Sequence, residues 1–196
     1  MIDDVLAISN CGNDSVKMNA IIHSKIDTKQ LRFGTKKCFK LHIGQKNKST
    51  CPTLKVHDKV MESVERERYL GDILSKDSKI NYNIQDRQNK GIRYVNQISS
   101  MLKEISFGLY HFSMAMLFRT TILLNGMLCS SEALHGITNT HIAQLESVDT
   151  MLFKSVFQAP FSTPIAAYYL ETGAIPIRYV LIGRRLMYLW TILQKN

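Results

Sequence analysis

Asp3 and Asp4 stand side by side in Met1-Ile2-Asp3-Asp4-Val5-Leu6-Ala7-Ile8-Ser9, an otherwise apolar run. A carboxylate inside an apolar segment is costly unless it is paired or binds a metal. An apolar strand with two acids at its tip therefore points to a divalent-cation site. Side chains alternate across a strand, so both acids serve one ion only where the chain turns. The plain alternative is a pair of acids standing in water. Cys38, His42, Cys51 and His57 form a second candidate ligand set. On a strand over residues 37–44, Cys38 and His42 lie about 13 Å apart at roughly 3.3 Å per residue. One tetrahedral zinc holds its ligand atoms at about 2.0–2.3 Å, so this spacing argues against zinc.

The charge says what such a site would face. The 196 residues carry 25 Lys and Arg against 16 Asp and Glu, a net charge of +9. Residues 1–100 hold 18 basic and 11 acidic side chains, and residues 25–59 hold ten basic ones opposed only by Asp27 and Asp58. A basic half on a folded chain suggests a polyanion, most often nucleic acid; a solubilising lysine surface is the bland reading. The four cysteines are widely spaced with no C-x-x-C pair, and the first nine residues lack the basic start of a secretory leader. The apolar residues 114–128 are interrupted by Arg119, Asn125 and Gly126, which argues against a membrane span. The expectation is an intracellular protein, nuclear or cytoplasmic and not secreted, with free thiols.

The elements that must position these residues change character along the chain. Residues 5–9 read as a strand, and Asp14 or Ser15 as the cap of a helix over residues 16–31, with Met18, Ile21, Ile22, Ile26 and Leu31 at mostly helical spacing. Residues 38–43 then alternate as a strand, and residues 54–64 form a hairpin turning at His57-Asp58. Tyr69-Leu70-Gly71-Asp72-Ile73-Leu74 closes this mixed half around its glycine. Beyond Ser75 the pattern is helical. Ile84, Gly91, Val95, Ile98, Leu102 and Ile105 form one stripe, with Arg87, Lys90, Tyr94 and Gln97 assigned to the opposite face. Further helices follow over residues 109–127 and 142–156, then one capped by Thr163 with Pro164 first, and a last one opened by Pro176. The aromatic residues of this half, among them Tyr110, Phe153, Tyr168, Tyr188 and Trp190, read as core. The fold class is α+β: residues 1–75 with short antiparallel strands and one helix, residues 76–196 an all-α bundle.

In this order the motifs resemble the C-terminal half, late palm plus thumb, of a non-LTR retrotransposon reverse transcriptase. Met1-Ile2-Asp3-Asp4-Val5-Leu6 is similar to the aromatic-x-Asp-Asp palm motif, with Met1 in the aromatic place. The helix before Phe33-Gly34-Thr35-Lys36-Lys37 resembles the next palm motif, which ends in a lysine best matched by Lys37. Tyr69-Leu70-Gly71 is similar to the primer-grip element, and Leu128-Cys129-Ser130-Ser131-Glu132 to a Leu-x-x-Ser-Glu element of the thumb. The resemblance implies a partial palm followed by a thumb-like bundle, and RNA-directed DNA synthesis on an RNA template with a DNA primer. It implies Mg²⁺ held directly by Asp3 with Asp4 auxiliary, and Lys37 near the triphosphate as proton donor or electrostatic stabiliser. Leu70 and Gly71 would press on the primer. Arg87 and Lys90, taken as an exposed helix face, are candidates for phosphate contacts.

The departures set the expectation. The family's palm uses a further Asp on a strand beside the Asp-Asp hairpin, together with fingers, and these precede the Asp-Asp motif. Asp14, Asp27, Asp72 and Asp77 fall in turns or on helix faces and do not supply that carboxylate. The chain as written is therefore expected not to polymerise DNA. The alternative is a non-catalytic basic module that binds nucleic acid or a protein, in which Asp3→Ala is nearly neutral.

Overall fold

The computed structural model describes residues 6–9, 12–29, 38–43, 52–56, 59–69, 71–105, 108–133, 136–158, 160 and 162–194. The chain is mixed α+β and divides into two compact units, residues 1–79 and residues 80–196.

The first unit opens with an irregular stretch. Residues 6–9 carry no strand, and Leu6 and Ile8 are exposed, which corrects that part of the strand expected at residues 5–9; Val5 lies outside the described residues. Helix α1 (Gly12–Thr28) begins four residues before the expected start and ends three before the expected end. Asp14 thus lies in its first turn and Lys25 in its last, each at the favourable end of the helix dipole. Asn19 and His23, one turn apart, fasten α1 to the strands: Asn19 Nδ2 and His23 Nε2 both donate to the Lys55 carbonyl, at 3.0 and 3.1 Å.

The strands are short: β1 (Phe39–Leu41), β2 (Lys55–Val56), β3 (Lys59–Val60), β4 (Glu62–Val64), β5 (Arg66–Tyr69) and β6 (Asp72–Ser75). They form three two-stranded ribbons among the described residues. β2 and β3 make the expected hairpin, Val56 opposite Lys59, with residues 57–58 between them. β5 and β6 make another, Tyr69 opposite Asp72. β1 pairs with β4 in parallel, Phe39 opposite Glu62. That corrects the all-antiparallel expectation. β1 and β4 are separated by the whole β2–β3 hairpin, a connection long enough to return the chain in the same direction.

The second unit holds the main core. Helix α2 (Asn81–Leu102) buries Ile84, Val95, Ile98 and Leu102 along one stripe, mainly against α5 (Asn139–Phe157), which contributes Leu145, Val148, Leu152 and Val156. Gly91 faces α5 and the turn α4 at close range; a Cβ there would sit 2.7 Å from Met127 Sδ and 2.9 Å from Val148 Cγ1. Helix α3 (Leu109–Phe118) runs through a π-helical segment (Arg119–Leu124) into the single turn α4 (Asn125–Met127). Thr138 caps α5 with a reciprocal bond: its hydroxyl accepts from the His141 N–H while His141 Nδ1 accepts from the Thr138 N–H. Helix α6 (Ile165–Thr172) starts one residue later than expected, with Pro164 extended at the cap, and Gly173 ends it at φ +63°. Helix α7 (Ile177–Leu193) follows Pro176.

The π-helical segment carries the least expected core residue. Arg119 is 2% exposed and grips Asp149 of α5, itself 0% exposed, through one edge of its guanidinium, Nε to Oδ1 at 3.0 Å and Nη2 to Oδ2 at 2.5 Å. Arg119 Nη2 also donates to the Ile175 carbonyl at 2.8 Å, and Tyr169 OH donates to Asp149 Oδ2 at 3.2 Å. Phe153 lies beneath the guanidinium, 5.6 Å from Cζ to the ring centroid, and packs against Tyr168 and Tyr169. Burial and the neighbouring Asp149 hold the Tyr169 phenol well above its ordinary pKa, so it stays a donor. Phe153 and Tyr168 are core as expected. Tyr110, Tyr188 and Trp190 are not, at 68%, 45% and 59% exposure.

Candidate nucleic-acid interface

The β5–β6 ribbon is the clearest functional candidate among the described residues. It turns through Gly71, which has φ +92°, a backbone state that a Cβ strains. Nothing lies within 4 Å of where that Cβ would be, so the glycine is open and the constraint is conformational. The same ribbon presents a pair of cations that the motifs alone did not single out. Arg66 and Arg68 are exposed while Glu67 and Tyr69 are half-buried. Alternation puts the two side chains on one face, their Cα atoms about 6.7 Å apart along the strand. The signal was present as Arg-Glu-Arg-Tyr, a period-two pattern of charge and burial. Downstream, Asp77 accepts from the Ser75 hydroxyl at 2.8 Å and pairs with Lys79 at 3.1 Å; these bonds, Ser75 first, hold its carboxyl below the usual range.

Arg87 is not where the helical face assignment put it. It is 5% exposed and donates from Nη1 to the carbonyls of Met127, at 3.1 Å, and Cys129. The reason is spacing: Arg87 is three residues after Ile84 and four before Gly91, so it belongs to the buried stripe. From α7, Arg184 donates to the Leu128 carbonyl at 2.7 Å and to Asn125 Oδ1 at 2.9 Å. Two guanidiniums thus satisfy three successive carbonyls at the end of α4, where a helix leaves its acceptors unpaired. The Leu128-Cys129-Ser130-Ser131-Glu132 element is a clamped turn, with Ser130 at φ +56° and Ser131 buried. Lys90 keeps 29% exposure and pairs with Asp86 one turn earlier at 2.8 Å, so a phosphate there would share it with a carboxylate.

Asp3, Asp4, Lys37 and Leu70 lie outside the described residues, so the catalytic and metal assignments stand on the sequence. Among the described residues no group of three or more His, Cys, Asp or Glu side chains is placed to hold a metal ion. No helix among them is long and apolar enough to cross a membrane. Cys38 and Cys129 are free thiols, and burial raises the pKa of Cys38. The net charge divides almost evenly between the units: residues 1–79 hold fifteen basic and ten acidic side chains, residues 80–196 ten and six.

Compared with family models, with curated proteins and with solved structures, the chain finds no match in any of the three.

Proposed function

We propose that the chain carries the late palm motifs and the thumb of an RNA-directed DNA polymerase of the non-LTR retrotransposon type, and that it does not polymerise alone. The observation that carries this reading is the β5–β6 ribbon, with Tyr69 opposite Asp72 and Gly71 in its turn. It is a tight antiparallel hairpin with an open glycine, preceded by the α1-then-β1 order and followed by amphipathic helices. That is the order of the motifs the sequence resembles. In this reading the ribbon tip bears on the primer, and Arg66 and Arg68 take backbone phosphates, for which a guanidinium is suited. Lys90 makes a weaker contact. Arg87 makes none, because it is buried, with its Nη1 bonded to carbonyls of the turn after α4.

Asp3 and Asp4 supply hard carboxylate oxygens, the donor type Mg²⁺ selects. Bound there, the metal would activate a primer hydroxyl and neutralise the triphosphate. Asp3 would hold it directly and Asp4 would assist. Lys37 would stand by the triphosphate, donating a proton to the departing pyrophosphate or stabilising its charge. In the resemblance a third carboxylate, on an earlier palm strand, completes that set.

The test is primer extension on an RNA template with Mg²⁺ or Mn²⁺. The chain alone gives no incorporation. Fused behind the fingers and first palm strand of a reverse transcriptase of this type, it extends the primer, and Asp3→Ala abolishes extension. Incorporation by the chain alone that Asp3→Ala abolishes overturns the inactivity. A fusion whose extension survives Asp3→Ala overturns the catalytic reading and leaves the non-catalytic binding module.

A further inference from the structure

Helix α2 has a solvent pole opposite its buried stripe, and Arg93 stands on it. Arg93 is as far along the helix from Ile84 as from Leu102, about two and a half turns either way, so it lies opposite both. It is exposed. The positions three and four away are Asn89, Lys90, Asn96 and Gln97, so no acid stands within ion-pairing reach on its own helix. Among the described residues no other element supplies one. The acid on this side of α2, Asp86, is taken by Lys90 at 2.8 Å. Asn89, Asn96 and Gln97 are exposed around the arginine. Asn89 accepts from Gln85 Nε2 at 3.3 Å, while the Asn96 and Gln97 side chains bond to nothing among the described residues. Asparagine is among the weaker helix formers, yet Asn89 and Asn96 both stand in mid-helix on the solvent side. A local preference given up with no return inside the fold is expected at a functional surface.

We propose that this pole lies along the sugar–phosphate backbone of an RNA–DNA duplex, with Arg93 pairing a phosphate and Asn96 and Gln97 donating beside it. The assignment rests on the nucleic-acid reading of the chain, and it moves the arginine of α2 that meets phosphate from Arg87 to Arg93. The chemistry of the face selects the partner. From Asn89 to Ser100 every exposed residue of α2 is polar, so the face lacks the apolar or aromatic anchor that centres a protein interface. Guanidinium and amide groups are donors suited to phosphate and sugar oxygens, and no free carboxylate stands among them to repel a polyanion. The two kinds of donor act differently. Arg93 releases a counterion from the duplex when it binds, so its share of the affinity falls with salt. An amide carries no charge, so the share of Asn96 and Gln97 does not.

The test is fluorescence anisotropy of a labelled RNA–DNA duplex titrated with the full 196-residue chain, between about 50 and 200 mM salt. Arg93→Gln lowers the log–log slope by up to about 0.9 and weakens binding on the order of tenfold at the low-salt end. Arg93→Lys keeps the slope, because the charge stays, and binds more weakly, because the planar fork is lost. Asn96→Ala with Gln97→Ala weakens binding several-fold and leaves the slope unchanged. All of these positions are exposed and the replacements are good helix formers, so circular dichroism and the melting midpoint stay at least at the parent's values. A parent that binds with a slope which Arg93→Gln leaves intact overturns the assignment and spares the nucleic-acid reading, which Arg66→Gln with Arg68→Gln tests separately. A parent that does not bind the duplex overturns both. An amide variant as tight as the parent leaves Arg93 a point contact and overturns the placement of this pole along the backbone.

Discussion

Arg119 shows what a single charged residue can do inside an apolar run. Its neighbours from Met114 to Leu128 read as a helix interrupted by an arginine, and the sequence offers no sign of the residue that answers it, thirty positions away. The structure pairs it with Asp149 in a forked contact, adds the Tyr169 hydroxyl and the Ile175 carbonyl, and closes Phe153 beneath it. Such a pair is weak evidence for stability as a unit, because desolvating two charges offsets most of their attraction. Breaking it is another matter. Burial pushes the Asp149 carboxyl up while Arg119 and Tyr169 pull it down. Without Arg119 the upward push prevails, and the protein must bury a lone charge or take up a proton. We expect Arg119→Met to cost about 3–5 kcal/mol in urea unfolding, and Arg119→Met with Asp149→Leu to recover most of that. A double variant no more stable than either single one would show that the pair holds the π-helical segment by more than charge.

At the scale of elements, periodicity made the helices legible and left their contacts hidden. The stripe Ile84, Val95, Ile98 and Leu102 is the buried face of α2, and Leu145, Val148, Leu152 and Val156 that of α5, both as their spacing requires. Arg87 broke the reading because a polar residue at a stripe position was assigned by its chemistry to solvent, when its spacing put it inside. The strands were harder: β1 with β4 is a pairing between distant segments, and no local pattern announces it. Gly91 is a case where local and tertiary preferences oppose each other. Alanine in the middle of a helix is favoured over glycine by about 1 kcal/mol. A Cβ at Gly91 would press on Met127 Sδ and on Val148, whose Cγ1 belongs to a stiff branched side chain. Overpacking typically costs about 1–3 kcal/mol, so Gly91→Ala should be net destabilising by about 1 kcal/mol. Adding Val148→Ala should reverse the sign of the Gly91→Ala effect, measured by denaturant midpoint in each background. If Gly91→Ala stabilises the parent protein, the α2–α5 approach is looser than these distances imply.

For the whole molecule the surplus of nine positive charges is the property that bears on function, and a salt titration can apportion it. Binding to an RNA–DNA duplex should weaken linearly in log–log with salt, by about 0.9 in slope for each phosphate neutralised on a duplex. Net charge alone does not fix that slope; the number of cations that reach phosphates does. Arg66 and Arg68 share one exposed face of the β5–β6 ribbon, so Arg66→Gln with Arg68→Gln should lower the slope, by at most about 1.8. Lys90→Gln should lower it by less than about 0.9, because the lysine must first give up Asp86. Arg87→Gln should leave the slope unchanged while reducing thermal stability, since its guanidinium holds the carbonyls of Met127 and Cys129. The contrast separates a cation that binds from one that builds, which charge counting cannot do. A slope near zero for the parent chain would remove nucleic acid from the possible partners. A slope that falls with Arg87→Gln as much as with Arg66→Gln would mean that folding, and not phosphate contact, was being titrated.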